Sequence, residues 1–157
     1  MRIFVAISYF ILFLLNPDFS FSQTKTKSDD NKYHKIVSKS YIDKYTGNPV
    51  KLSVEEAKIA VNAMLKVVDN TNYVFQLSSY EFAYNRVGVT EDEVTGKISP
   101  TTNLVSERFK QTPLPDTWRR IITEDLQKGE ELIFFDIVGI DKTGRKFLAP
   151  DIKIIVE

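Results

Sequence analysis

No cysteine occurs in the 157 residues, and histidine occurs once. The first absence removes a disulfide framework, a thiolate nucleophile and a lipid-modified cysteine behind a leader, so packing alone must hold the fold. The second leaves His34 by itself in a polar stretch, where no Ser/His/Asp or Cys/His set and no histidine-rich metal site can be assembled. An excess of charge is missing as well, because 21 basic residues balance 21 acidic ones. Without a net field the chain cannot gather nucleic acid or anionic lipid, and neither is expected as a partner. The sequence also lacks G-x-G-x-x-G, a P-loop and G-x-S-x-G, the short motifs that hold nucleotides or raise a nucleophilic serine. No enzyme activity, metal or cofactor is expected.

What is present begins with an apolar run over residues 3–15, preceded by Arg2 and followed by Asn16, Pro17 and the segment SFSFSQ. A charged start, an apolar centre and small residues at Ser20 and Ser22 make residues 1–22 a signal peptide cleaved before Gln23. The other reading is an uncleaved anchor, but the run falls short of the roughly 20 residues that cross a hydrocarbon core, and a proline ends it. A periplasmic or secreted protein is expected, with no stable membrane span after cleavage. The rest of the chain suits one domain of ordinary size.

Residues 23–46 read as a polar lead that runs into an edge strand, KIVSKSYIDKY, closed by a TGNP turn. Residues 47–157 form the domain. In KLSVEEAKIAVNAMLKVVDN, Ser53 and Glu56 make a capping box, and Ala57, Ala60, Val61, Met64, Leu65 and Val68 recur at helical spacing. The pattern predicts one amphipathic helix of about four turns with Met64 in the core. In NYVFQLSSYEFAYNRVGV the aromatic and aliphatic positions are odd at Tyr73, Phe75 and Leu77 and even at Tyr80, Phe82 and Tyr84. A single strand can change parity and keep one buried face only by a β-bulge, expected at Ser78 and Ser79; the alternative is two separate strands with a tight bend between them. Residues 90–100 read as a loop turning at Thr95 and Gly96, and residues 104–109 as a short returning strand or turn. A second helix follows two prolines, with Trp118, Ile121, Ile122 and Leu126 on one face, Arg119, Arg120 and Glu124 on the other, an Arg120–Glu124 pair, and Gly129 as its left-handed terminator. Residues 132–140 are apolar on both parities, which predicts a central strand covered on both faces. A turn at 141–144 then joins it in a hairpin to the alternating strand of Ile152, Ile154 and Val156.

Aromatic residues make up 12% of the chain, including eleven Phe and seven Tyr, and they concentrate in the strands. Tyr80, Phe82, Tyr84 and Trp118, with Arg119 and Arg120, are the candidate interaction residues; the competing reading places the aromatics in the core. Glu91, Asp92 and Glu93 lack the alternate spacing of a calcium loop and read as a solvated acidic turn. Asp136 interrupts the apolar strand and must sit at a rim or find hydrogen-bond partners. Asp136 with Asp141 or Asp151 is one example of a pairing that would resemble two catalytic carboxylates, and nothing beyond the presence of carboxylates supports it.

The order of elements, helix, aromatic strand, loop, helix ending in Lys-Gly, apolar strand, turn and last strand, resembles the C-terminal domain of the gliding-motility protein GldM of the Bacteroidetes type IX secretion machinery. The likeness rests on Lys128, Gly129 and Glu130, on Phe134, Phe135 and Ile137, and on Asp141, Gly144, Arg145, Lys146 and Leu148 in the turn. It also covers VVDN followed by YVFQLSSYEF. The resemblance implies a β-rich exported domain that makes protein contacts. The expected fold is α+β: a mostly antiparallel, sandwich-like sheet carrying two amphipathic helices and ending in a β-hairpin. The expected function is a non-catalytic interaction module of the cell envelope that binds other envelope proteins, with a small-ligand or glycan carrier as the alternative.

Overall fold

The computed structural model describes residues 33–157. The leader and its cleavage site, and the lead as far as residue 32, lie outside them. The elements run β1 (Ser38–Ile42), β2 (Val50–Leu52), α1 (Val54–Val61), β3 (Leu65–Asp69), β4 (Val74–Glu91), β5 (Ile98–Phe109), α2 (Asp116–Asp125), β6 (Glu131–Ile140), β7 (Lys146–Leu148) and β8 (Ile152–Val156). The fold is α+β: eight strands form one mixed sheet with the path β1-β3-β4-β6-β8-β2, β5 pairing on β4 and β7 on β6. Every pairing is antiparallel except β2 with β8. The sheet curls, so that β1 at one end touches β8 near the other.

The first helix is half as long as its spacing predicts. Ser53 and Glu56 do form the capping box. The helix stops at Val61, where the Asn62 side-chain amide donates to the Lys58 carbonyl at 2.8 Å and takes up an acceptor left open at the helix end. Leu65 and Val67 then bury alternate side chains as β3, and Met64 is 53% exposed rather than core. Over a few residues the spacings of a helix and a strand both match LKVV, and the β-branched valines favour the strand. Ile122 in α2 and Leu126 just past its end are buried as expected while Ile121 faces outward, and the helix ends at Asp125, so Gly129 is not its terminator as expected but belongs to the turn into β6. Arg119, not Arg120, makes the ion pair on this helix, to Asp116, and Arg120–Glu124 is not among the contacts of the described residues.

The bulge in β4 exists, and it has a counterpart. The β4–β6 register shifts between Leu77 and Ser79 and shifts back between Ser79 and Glu81. The first shift inserts a residue in β4; the second inserts one in β6 beside Asp136, whose φ is +48°. Opposed insertions restore the register and change the buried parity of both strands together. Thus Phe75 is succeeded by Tyr80, Phe82 and Tyr84 on β4, while Leu132 and Phe134 are succeeded by Ile137 on β6, all of them buried. This corrects the expectation for β6. The strand is central, but its two-parity apolar pattern records a bulge, since Ile133 and Phe135 remain half-exposed on the outer face. The expected hairpin partner is likewise split into β7 and β8 around residues 149–151, opposite the Asp136 bulge.

The region expected to be a loop and a short return is the largest departure. β5 runs for 12 residues and pairs with β4 from Tyr80–Phe109 out to Glu91–Ile98. β6 accompanies β4 only as far as Asn85. Beyond that rung the two strands form a ribbon that leaves the sheet, closed at the Gly96 turn as the sequence suggested, with φ +66° at Gly96 and its N–H donating to the Asp92 carbonyl at 2.8 Å.

Candidate functional site

Tyr80, Phe82 and Tyr84 are buried in the core, so three of the aromatic interaction candidates are not displayed to a partner. Phe82 packs against Phe134 at 4.9 Å and edge-on to Trp118 at 5.3 Å. Trp118 is half-buried between α2 and the sheet and donates its Nε1–H to Glu107 at 2.8 Å. Arg119 and Arg120 line a cleft of about 420 Å³ with Asn62, Asp116, Thr123 and Glu124. The carboxylates there offset the two guanidinium groups, so the cleft is not an anion site.

The Lys128, Gly129, Glu130 segment serves as an anchor for the sheet end. Gly129 has φ +90°, and its N–H donates to the Val156 carbonyl at 2.8 Å while the Val156 N–H donates to Glu130 at 3.0 Å. This turn sends the Glu130 side chain inward, where it is 1% exposed. Its carboxylate accepts from the Tyr84 hydroxyl, from the Gln127 N–H at 2.9 Å and from the Val87 N–H at 3.3 Å. A buried carboxylate needs that many donors to offset its lost hydration. Burial, followed by the bond to Glu130, holds the Tyr84 phenol well above its ordinary pKa, and burial alone pushes Tyr80 up to about 12.

Asp141 organises the β6–β7 turn by accepting from the Thr143 N–H at 2.8 Å, the Thr143 hydroxyl at 2.7 Å and the Arg145 N–H at 2.9 Å. Asp69 repeats the arrangement at the β3–β4 turn with Thr71 and Tyr73. The Thr143 hydroxyl above all, then the backbone N–H groups and the Arg145 charge, hold the Asp141 carboxyl far below its ordinary value. The two turns flank a cleft of about 370 Å³, walled by Ile36, Val37 and Phe75. His34 borders this region and is not a plain surface histidine. Its Nδ1 lies 3.1 Å from the Lys146 carbonyl and its Nε2 stands 3.0 Å from Asp141 Oδ2. Its position in a charged stretch gave no sign of that docking. Gly144 has φ +80° as the turn requires, and Phe134 is core, while Leu148 is half-exposed.

Asp136 and Asp151 come near enough for the charge of one to act on the other, whereas Asp141 lies at the far end of β6. Burial raises the Asp151 carboxyl, with the Asp136 charge adding to it. Asp136 itself is exposed at the rim, one of the two placements expected of it. Asp92 accepts from the Val94 and Thr95 N–H groups and so shapes its own turn, within the acidic run 91–93. No group of three or more His, Asp or Glu among the described residues is placed to hold a metal ion. No helix among them is long and apolar enough to cross a membrane.

The feature most open to a partner is one that sequence reasoning missed, the β4–β5 ribbon. Paired residues on an antiparallel ladder share a face, and faces alternate along each strand. Tyr80, Phe82 and Tyr84 define the core face, which continues outward as Arg86, Gly88 and Thr90. The opposite face carries Val87, Val89, Ile98 and Leu104, which are 40%, 73%, 64% and 62% exposed. The signal was present in Val87-Gly88-Val89, whose alternation continues on the parity opposite to Tyr84. It is lost to a reading that follows a single buried face. Compared with known proteins, the chain matches no family model and no curated relative.

Proposed function

We propose that the chain is an exported, non-catalytic module of the bacterial cell envelope that works by binding other envelope proteins, in the manner its resemblance to the GldM C-terminal domain implies, with type IX secretion or gliding as the setting. The observation that supports this reading is the β4–β5 ribbon, an extended surface with exposed aliphatic side chains carried on a well-packed body. Exposed apolar surface of this kind on a folded domain commonly marks a protein contact. The curled sheet, with β1 against β8, would give that body the sandwich-like rigidity to hold the ribbon in place. A leader over residues 1–22 would place it in the periplasm or outside the cell.

The cleft between the Asp69 and Asp141 turns favours a second reading, a carrier for a small ligand or glycan, because it combines an apolar wall with polar rims. Cross-linking of the tagged full chain in its native cells, followed by mass spectrometry, separates the two. Recovery of secretion or gliding proteins, lost when residues 1–22 are deleted, supports the first reading. Recovery of no protein, together with a co-purifying small molecule, supports the second and removes the first.

A further inference from the structure

Four exposed aliphatic side chains of the ribbon lie on the face turned away from this chain's own core, against one, Val105, on the other. Val87, Val89, Ile98 and Leu104 occupy the face opposite Tyr80, Phe82 and Tyr84, and both helices pack on the side that holds those aromatics or on β2 and β8. A two-stranded ribbon is only marginally stable in water by itself, so apolar residues placed outward on it serve a contact with another molecule. The charges around the patch define what kind. At the tip stand Glu91, Asp92 and Glu93, with Lys97 the cation of the same turn, an acidic excess of two. At the base, Glu81, Glu131 and Asp136 face two cations, Arg108 at 2.7 Å from Glu81 and Lys153 at 2.8 Å from Glu131, which leaves an acidic excess of one. The patch is thus acidic at both ends.

Resting on the reading that the chain acts by binding, we infer that the outer face of the β4–β5 ribbon docks an extended segment of another protein, aliphatic at its centre and flanked by lysine or arginine. Like charges disfavour a second copy of this chain on the same face, because any two-fold stacking brings acidic ends against acidic ends or leaves them unmatched. The open edge of β5 is a weaker place for the contact, since Pro100 on it has no N–H to offer. The side-chain face carries the contact, and the flanking charges set its specificity.

Selection of a displayed library of random short peptides on the purified full chain tests this. The enriched peptides should alternate aliphatic residues between basic flanks, and should bind the Val89→Asp and Leu104→Asp variants at least about tenfold more weakly. Both substitutions are at exposed positions, so an unchanged melting curve confirms that the variants fold. Reversing the tip with Glu91→Lys and Glu93→Lys should shift enrichment toward acidic flanks. The inference is overturned if enriched peptides have no basic bias, if Val89→Asp leaves their binding unchanged, or if the wild-type chain self-associates through this face. Peptides that bind elsewhere would overturn the docking face and leave the binding function standing.

Discussion

The hydroxyl of Tyr84 donates to the carboxylate of Glu130, a contact between the centre of the longest strand and the turn that opens β6. It joins the core to the base of the ribbon, because the same carboxylate accepts from the Val87 N–H, the first exposed aliphatic position beyond the sheet. Arg86, whose guanidinium lies 5.6 Å from the Tyr84 ring, closes over this site with Asp125 at 3.1 Å. Tyr84→Phe therefore leaves a buried carboxylate one donor short. Urea unfolding should show a loss of about 1–3 kcal/mol. Tyr80→Phe removes only a bond to the Gln111 carbonyl and should cost about 1 kcal/mol. In a double-mutant cycle with Glu130→Gln, Tyr84 should show coupling and Tyr80 none; equal behaviour of the two tyrosines would refute the pairing as a specific anchor.

Two glycines separate space from backbone strain. A Cβ on Gly139 would lie 2.5 Å from the Phe147 ring, which is fully buried and packs on Phe75 at 4.8 Å. Gly139→Ala should cost about 1–3 kcal/mol by overpacking, and Phe147→Leu in the same chain should recover part of it. Gly144 has φ +80° and nothing within 4 Å of an added Cβ. There Gly144→Val should cost about 1–2 kcal/mol from the backbone alone, and Gly144→Asn clearly less. An unchanged melting temperature for Gly144→Val would contradict the left-handed turn.

Acid should weaken the turns before the core. The carboxyls of Asp69, Asp92 and Asp141 are all held below their ordinary value of 3.8, chiefly by threonine hydroxyls at Asp69 and Asp141 and by the Thr95 N–H at Asp92. A carboxyl depressed in the folded chain stabilises it fully above its unfolded pKa, and that contribution is lost as pH falls through the folded pKa. Asp141→Asn should thus be less stable than the parent at neutral pH, and the gap should close as pH drops below about 4. Denaturant titrations over a pH series read this directly; a gap that widens in acid would reverse the assignment.

Much of the body was legible in the sequence because local chemistry and burial agree there. The capping box at Ser53, the buried Ile122 and Leu126, the bulge after Leu77 and the glycine turns at 96 and 144 all rest on short-range rules that tertiary contacts leave intact. What was not legible depends on partners distant in sequence. The run LKVV became a strand because β1 and β4 flank it, and the mirrored bulge at Asp136 exists to match the one in β4. Glu130 and Asp141 each tie a turn together, and of the aromatic interaction candidates Tyr80, Phe82 and Tyr84 lie inside. The ribbon was hidden because its apolar face has no counterpart within the chain, and a pattern read for one core treats it as loop.

Position-specific photo-cross-linking in the native cells tests most directly whether the chain acts by binding envelope proteins through this ribbon. A photoreactive residue at Val89 or Leu104 should capture one defined envelope protein, whereas the same residue at Thr90 on the opposite face, or at Glu55 on α1, should not. No adduct at Val89 and Leu104, or the same adducts from all four positions, would contradict the account.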